Sequence, residues 1–230
     1  MSEMQPGYQK TEVGVIPEDW EVKKLGDLLI GSPKYGINAS SIPHNTLFPN
    51  YIRITDITGD GYFSRDDLVS VDHPHSSSYL VEENDLLLAR TGASVGKSYL
   101  YKTSDGVLVY AGFLIKIKAN SNLLSAKYTF YHFQTNYYWN WIRQNSMRTG
   151  QPGINGQQYC SLKLPLPPLK EQQAIAQALT DMDDYIQALQ ELVEKKRNIK
   201  QGTMQQLLTG QTRLPGFGGE HVGTRNTEVG

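Results

Sequence analysis

Apolar and polar positions change rhythm along this chain of 230 residues, and the changes mark out its parts. Between 51 and 118 the apolar positions come in short runs bounded by turn residues. Tyr51-Ile52-Arg53-Ile54-Thr55 alternates, Asp85-Leu86-Leu87-Leu88-Ala89-Arg90 reads as a buried strand, and Ser98–Tyr101 and Val107–Ile117 predict further strands. Gly59-Asp60-Gly61 and Thr103-Ser104-Asp105-Gly106 read as turns, because glycine accepts positive φ. Upstream, residues 1–10 are polar and expected to be loose. Ile16-Pro17-Glu18-Asp19-Trp20 predicts a turn that delivers Trp20 to the core, and Lys24–Leu29 a short helix or strand stopped by Gly31 and Pro33. Downstream, Ser125–Gln144 predicts a helix with Tyr128, Tyr131, Trp139 and Ile142 among its apolar residues, and 146–156 a loop. Leu164-Pro165-Leu166-Pro167-Pro168 reads as a stiff extended connector closing the domain, since proline continues neither a helix nor an inner strand.

After Pro168 no proline or glycine occurs before Gly202. Ile175, Leu179, Met182, Ile186, Leu189 and Val193 recur at alternating intervals of four and three, the seam of a coiled coil. The pattern predicts one helix from about Leu169 to about Leu208, roughly 60 Å long at ~1.5 Å per residue. A domain of ~165 residues has a radius of gyration near ~15 Å, so the helix outruns it. Its stripe needs a partner helix to bury it. Asp181, Asp183, Asp184 and Glu191 lie early and Lys195, Lys196, Arg197 and Lys200 late, so a second copy running antiparallel would set acid against base; the plainer reading is that these charges are solvated. The expected organisation is α+β: a β-rich domain with peripheral helices at 1–165, a long coiled-coil-forming helix at 166–210, and a tail at 211–230.

Charge alters this picture little. The chain carries 22 Lys+Arg against 23 Asp+Glu, and residues 1–165 balance at 15 against 15. A nucleic-acid binder usually shows a basic excess, so any DNA contact must use a local patch. The 14 Tyr favour half-buried strands and recognition surfaces. The lone Cys160 forms no internal disulfide. The most apolar stretch, Val107–Ile117, is too short to span a bilayer, and no signal peptide is read at the start, so a cytoplasmic protein without membrane association is expected.

Enzyme chemistry is hard to find. Thr91-Gly92-Ala93-Ser94-Val95-Gly96-Lys97-Ser98 imitates a phosphate-binding loop, but Thr91 stands where the first glycine belongs, and a strand follows where a helix must open. His44, His73, His75, His132 and His221 have no metal-ligand spacing. There is no glycine-rich loop for a methyl donor, no Asn-Pro-Pro-Tyr-type motif, and no convincing nuclease cluster. No catalytic residue, metal or cofactor is expected.

Thr11-Glu12-Val13-Gly14 recurs as Thr227-Glu228-Val229-Gly230, as if a second unit would begin where the chain stops. Several stretches together resemble one family. They are Thr11 to Trp20; Asp85-Leu86-Leu87-Leu88-Ala89-Arg90-Thr91-Gly92; Leu164-Pro165-Leu166-Pro167-Pro168-Leu169-Lys170-Glu171-Gln172; Lys195 to Gly202; Leu207 to Gly210; and Arg213-Leu214-Pro215-Gly216-Phe217. They resemble the specificity subunits of Type I restriction–modification systems. The resemblance implies target-recognition domains that each read part of a split double-stranded DNA target. It also implies long helices that pack antiparallel as a ruler, methyltransferase subunits as partners, and restriction subunits that join them. Family members carry two domains and two helices; this sequence has one of each. It is therefore expected to be a half subunit, natural or truncated, that would form a homodimer and read an interrupted palindrome. The competing expectation is a coiled-coil adaptor without sequence-specific DNA binding.

Base readout needs fixed donors on loops where backbone approaches closely. Three glycine-bearing loops qualify. The first offers Lys34, Tyr35 and Asn38, the second Arg90, Thr91, Ser94 and Lys97, and the third Arg148, Thr149, Gln151 and Asn155; Arg53 could join from its strand. Arg53 and Arg90 have an internal alternative in Asp56 or Asp85, and Tyr35 either stacks on a base or packs.

Overall fold

The computed structural model describes residues 6–147 and 150–217. In chain order, β1 (Tyr8–Thr11) and β2 (Gly14–Pro17) form an antiparallel hairpin, and β3 (Glu21–Lys24) runs into a 3-10 turn at Leu25–Leu28. Next come the short strands β4 (Lys34–Tyr35), β5 (Ile42–Pro43), β6 (Asn50–Ile52) and β7 (Val69–Ser70). Four more follow: β8 (Asp85–Ala89), β9 (Ser98–Leu100), β10 (Leu108–Tyr110) and β11 (Leu114–Lys118). Three helices, α1 (Ala126–His132), α2 (Asn136–Ser146) and α3 (Gly156–Cys160), precede β12 (Lys163–Leu166) and the 40-residue α4 (Leu169–Leu208). The chain is α+β, as expected, with mixed sheets and a long final helix.

The central sheet has the order β4-β11-β8-β9. Its strands alternate, so successive residues of β8 face opposite ways. Leu86 and Leu88, with Ile115 and Ile117 of β11, join the cluster that includes Tyr128, Tyr138 and Tyr159 of the three helices and Phe133 at the end of α1. Leu87 and Ala89 join the cluster with Ile52 and Tyr110, from the second sheet of order β10-β6-β7-β5. β8 is therefore buried on both faces, which is why it reads as a continuous apolar run. Its one charged residue, Asp85, is fully buried and meets Lys116 at 2.9 Å. Lys116 also donates to the Leu80 carbonyl at 2.8 Å. Burial likewise pushes His132 down to about 4, so it is neutral inside the helical layer.

Several expectations are corrected. Part of the N-terminal stretch expected to be loose is strand β1, because its backbone pairs with Gly14–Pro17. Trp20 is half-buried rather than a core anchor, and its indole N–H donates to Glu171 at 3.2 Å. The strand expected at 51–55 stops at Ile52, and Ile54–Asp56 is a 3-10 turn. The single helix expected at 125–144 is two. Thr135 ends the first by donating to the His132 carbonyl at 2.7 Å and caps the second by accepting from the Tyr138 N–H at 3.3 Å. The proline-rich connector is strand β12, paired with β3 so that Pro165 lies opposite Val22. A two-stranded sheet has only edges, and an edge tolerates a residue without an N–H.

By its internal contacts the chain divides between Leu179 and Thr180 into two compact units. In the first, the start of α4 is locked in place by Gln172, only 1% exposed. Gln172 accepts from the Ser125 N–H at 2.9 Å and donates to the carbonyls of Leu123 at 3.1 Å and Pro167 at 2.9 Å. Ala176 is buried and Ile175 packs on the domain core, so the first seam position is partly covered by its own domain. Of the remaining seam residues, Leu179 closes the first unit, and Met182, Ile186, Leu189 and Val193 lie in the second; all five are exposed.

Candidate nucleic-acid interface

The three glycine-bearing loops, far apart in sequence, are tied to one another mainly by backbone. Strand β8 delivers Arg90 to its end, and residues 90–97 form the turn into β9. Two glycines there take positive φ, Gly92 at 68° and Gly96 at 90°. Gly96 anchors the turn on α2. A Cβ there would lie 2.8 Å from Ile142, and the Tyr138 hydroxyl donates to the Gly96 carbonyl at 2.7 Å. The other end meets the third loop. Thr91 bridges Gly153, the Gly92 N–H donates to the Pro152 carbonyl at 3.0 Å, and the Ile154 N–H donates to the Arg90 carbonyl at 2.9 Å.

The first loop joins through Tyr35, whose hydroxyl accepts from the Gly156 N–H at 3.0 Å. The Arg90 guanidinium lies over the Tyr35 ring, 4.9 Å from its centre. Two residues on, Ile37 bridges Ala111, and the Asn38 amide lies against Gly112, where any side chain would overlap it. The Arg90 N–H closes the circle by donating to the Phe113 carbonyl at 3.1 Å. Tyr35, Asn38, Arg90, Thr91 and Gln151 thus gather around one backbone frame, Gln151 approaching Gly92.

Arg90 has no carboxylate partner among the described residues. Its internal alternative, Asp85, is engaged by Lys116. An aromatic face orients a guanidinium without using its in-plane donors, which stay available. This arrangement suits bidentate recognition of a base edge or a phosphate.

Other candidates lie elsewhere or already have work. Arg53 forms the internal pair held open as its alternative: its guanidinium donates to Asp56 at 2.7–3.2 Å and to Asp67 at 3.0 Å, and these carboxylates raise its pKa. The Lys97 ammonium donates to the Ile57 carbonyl at 2.8 Å. Lys34 pairs in register with Lys116 and lines a polar cleft with Lys118, Glu82 and Asp85. Ser94 ends a 3-10 turn at Gly92–Ser94, and Asn155 caps α3 by accepting from the Gln158 N–H at 2.8 Å. Arg148 and Thr149, like His221 and the repeated Thr227–Gly230, lie outside the described residues. Sequence reasoning missed Phe113, 58% exposed, whose carbonyl accepts from the Arg90 N–H. The signal was Gly112, which marks a turn inside what reads as one long strand.

Among the described residues no group of His, Cys, Asp and Glu is placed to hold a metal ion, and no helix is long and apolar enough to cross a membrane.

Comparison with known proteins gives this arrangement its context. Residues 17–201 match the model of the Type I restriction modification DNA specificity domain. The chain is 29% identical to a putative type I restriction enzyme MjaX specificity subunit of Methanocaldococcus jannaschii, over 97% of this chain and 52% of that protein. It is 28% identical to the MjaVIII specificity subunit of the same organism, over 94% of this chain and 46% of that protein. The chain therefore spans about half the length of the curated relatives it matches. The solved HsdS subunit from Thermoanaerobacter tengcongensis shares the fold at a TM-score of 0.59, with 18% identity, over 90% of this chain and 52% of that one. With the family model covering residues 17–201, most of its length, the chain belongs to the Type I restriction modification DNA specificity domain family.

Proposed function

We propose that this chain is a sequence-reading subunit that binds one half of a split double-stranded DNA target and docks methyltransferase subunits, with restriction subunits joining that complex. Residues 1–165 would be the target-recognition domain, 166–210 the spacer helix and 211–230 a tail. Methylation and cleavage would belong to the partner chains, in the cytoplasm. The observation that carries the reading is Arg90, held over Tyr35 where three loops meet, with no carboxylate partner among the described residues. Near-neutral overall charge is compatible with this, because a local cluster of donors sets register and specificity while phosphate contacts add affinity.

Arg90→Ala tests it. Affinity for the preferred duplex should fall by about 5- to 150-fold, the equivalent of ~1–3 kcal/mol for a bidentate base contact. Affinity for random duplex should change much less. Both are measured by fluorescence anisotropy at two salt concentrations. Absence of DNA binding by the unaltered chain, even with the methyltransferase subunit present, would instead support the adaptor reading.

The long helix supports homodimerisation. Leu179, Met182, Ile186, Leu189 and Val193 are 41–59% exposed, a stripe that a second copy would bury. Acidic residues at 181–191 and basic residues at 195–200 favour the antiparallel arrangement, which pairs opposite charges and places the two domains at opposite ends of the pair. Cysteines placed at 182 and 200 should then crosslink to each other between chains. Crosslinks of 182 to 182, with none from 182 to 200, would refute the antiparallel pairing.

A further inference from the structure

Phe113 is a large aromatic residue left 58% exposed among groups otherwise suited to hydrogen bonding. It sits in the turn from β10 to β11, closed by the Leu114 N–H donating to the Ala111 carbonyl at 2.9 Å. Its own carbonyl accepts from the Arg90 N–H, and the preceding Gly112 backs onto the Asn38 amide. The ring is thus carried on the same rigid frame as two side chains of the base-reading kind. A single exposed hydrophobic residue is ordinary on a protein surface. This one is set apart by its place: its carbonyl accepts from the Arg90 N–H, and the glycine before it meets the Asn38 amide.

Those neighbours indicate what the ring would meet. Arginine pairs with guanine, and asparagine with adenine, through major-groove edges. An adenine in that groove is accompanied by its partner thymine, whose C5-methyl group is the one apolar feature the groove displays. A phenylalanine left 58% exposed at a turn has apolar surface to offer such a methyl group. It is poorly shaped for full insertion between base pairs, which needs a free-standing wedge. Resting on the DNA-reading function proposed above, we infer that Phe113 is a specificity-determining residue that contacts the C5-methyl group of a thymine in the half-site.

The test is selection of random duplexes by the full chain, followed by binding measurements. The unaltered chain should enrich a motif with one strongly preferred thymine, and Phe113→Ala should lose that preference while keeping the other positions. Replacing that thymine by deoxyuridine removes only the methyl group. It should weaken the unaltered chain about four-fold, as for one buried methyl, and leave Phe113→Ala nearly unaffected. Phe113→Gln, of similar reach but polar, should behave like alanine, and guards against a folding defect peculiar to one variant. An unchanged motif in both variants, or equal sensitivity to deoxyuridine in all three proteins, overturns the inference alone. A general loss of binding that ignores the methyl group also overturns it, in favour of a wedge. If the unaltered chain enriches no motif even with the methyltransferase subunit present, the DNA-reading function falls and this inference with it.

Discussion

In the homodimer proposed above, exchanging Met182 and Leu189 together for glutamate is expected to leave a monomer. In an antiparallel pair the double variant places four carboxylates in the seam, and their neighbours are the apolar residues Ile186 and Val193. Each unpaired charge taken out of water costs several kcal/mol even after relaxation. At about 1.4 kcal/mol per factor of ten, association should weaken by more than roughly 10⁴-fold. In the single chain these positions are 59% and 43% exposed, so the globular domain should fold as before. Sedimentation velocity at micromolar concentration reads the result directly, and a dimer of unchanged mass would refute this seam.

Gly36→Ala is expected to destabilise the domain and, with it, the proposed reading site. A Cβ there would lie 2.2 Å from the Ala111 carbonyl oxygen and 2.4 Å from that of Tyr110. Both obstacles are backbone, so relief requires the 34–38 segment to separate from β10 and the turn after it. The expected cost is about 3 kcal/mol or more, at the upper end for overpacking. The urea midpoint should drop, and target binding should fall with it, because Tyr35 and Asn38 flank this position. Gly59→Ala, at a site with nothing within 4 Å, is the control and should be nearly silent. Equal midpoints for the two variants would show that the close approach at Gly36 is not needed.

The long helix and the strand at Asp85–Ala89 are legible in sequence because each obeys one local rule: period 3.5 with no proline or glycine before Gly202 in the first, and the apolar run Leu86–Ala89 in the second. The failures lie where a local signal has two outcomes. Proline at 165 excludes a central strand but not an edge, and only the pairing with Val22 decides. Helical periodicity continues across Phe133 and Gln134, yet the Thr135 hydroxyl can satisfy backbone on both sides and so divides the helix. Arg53 and Arg90 were equivalent in sequence, each with an aspartate nearby. Asp56 is three residues from Arg53 and reaches it, whereas Asp85 lies at the opposite end of β8 from Arg90 and meets Lys116. The convergence of three loops rests on contacts across scores of residues, such as Tyr35 to Gly156, and periodicity has no access to those.

The bonds between the second and third loops run from main chain to main chain: Gly92 to Pro152, Ile154 to Arg90, and the bridge from Thr91 to Gly153. Such bonds are indifferent to the side chains they carry. Residues at 91 and 151 could be exchanged without the loops losing their alignment, while the buried strand behind them keeps the stability constant. A fold built this way separates the alphabet from the page. On the DNA-reading function proposed above, one scaffold could host many target sequences, and a new specificity would require changing a few projecting side chains rather than refolding the domain that presents them.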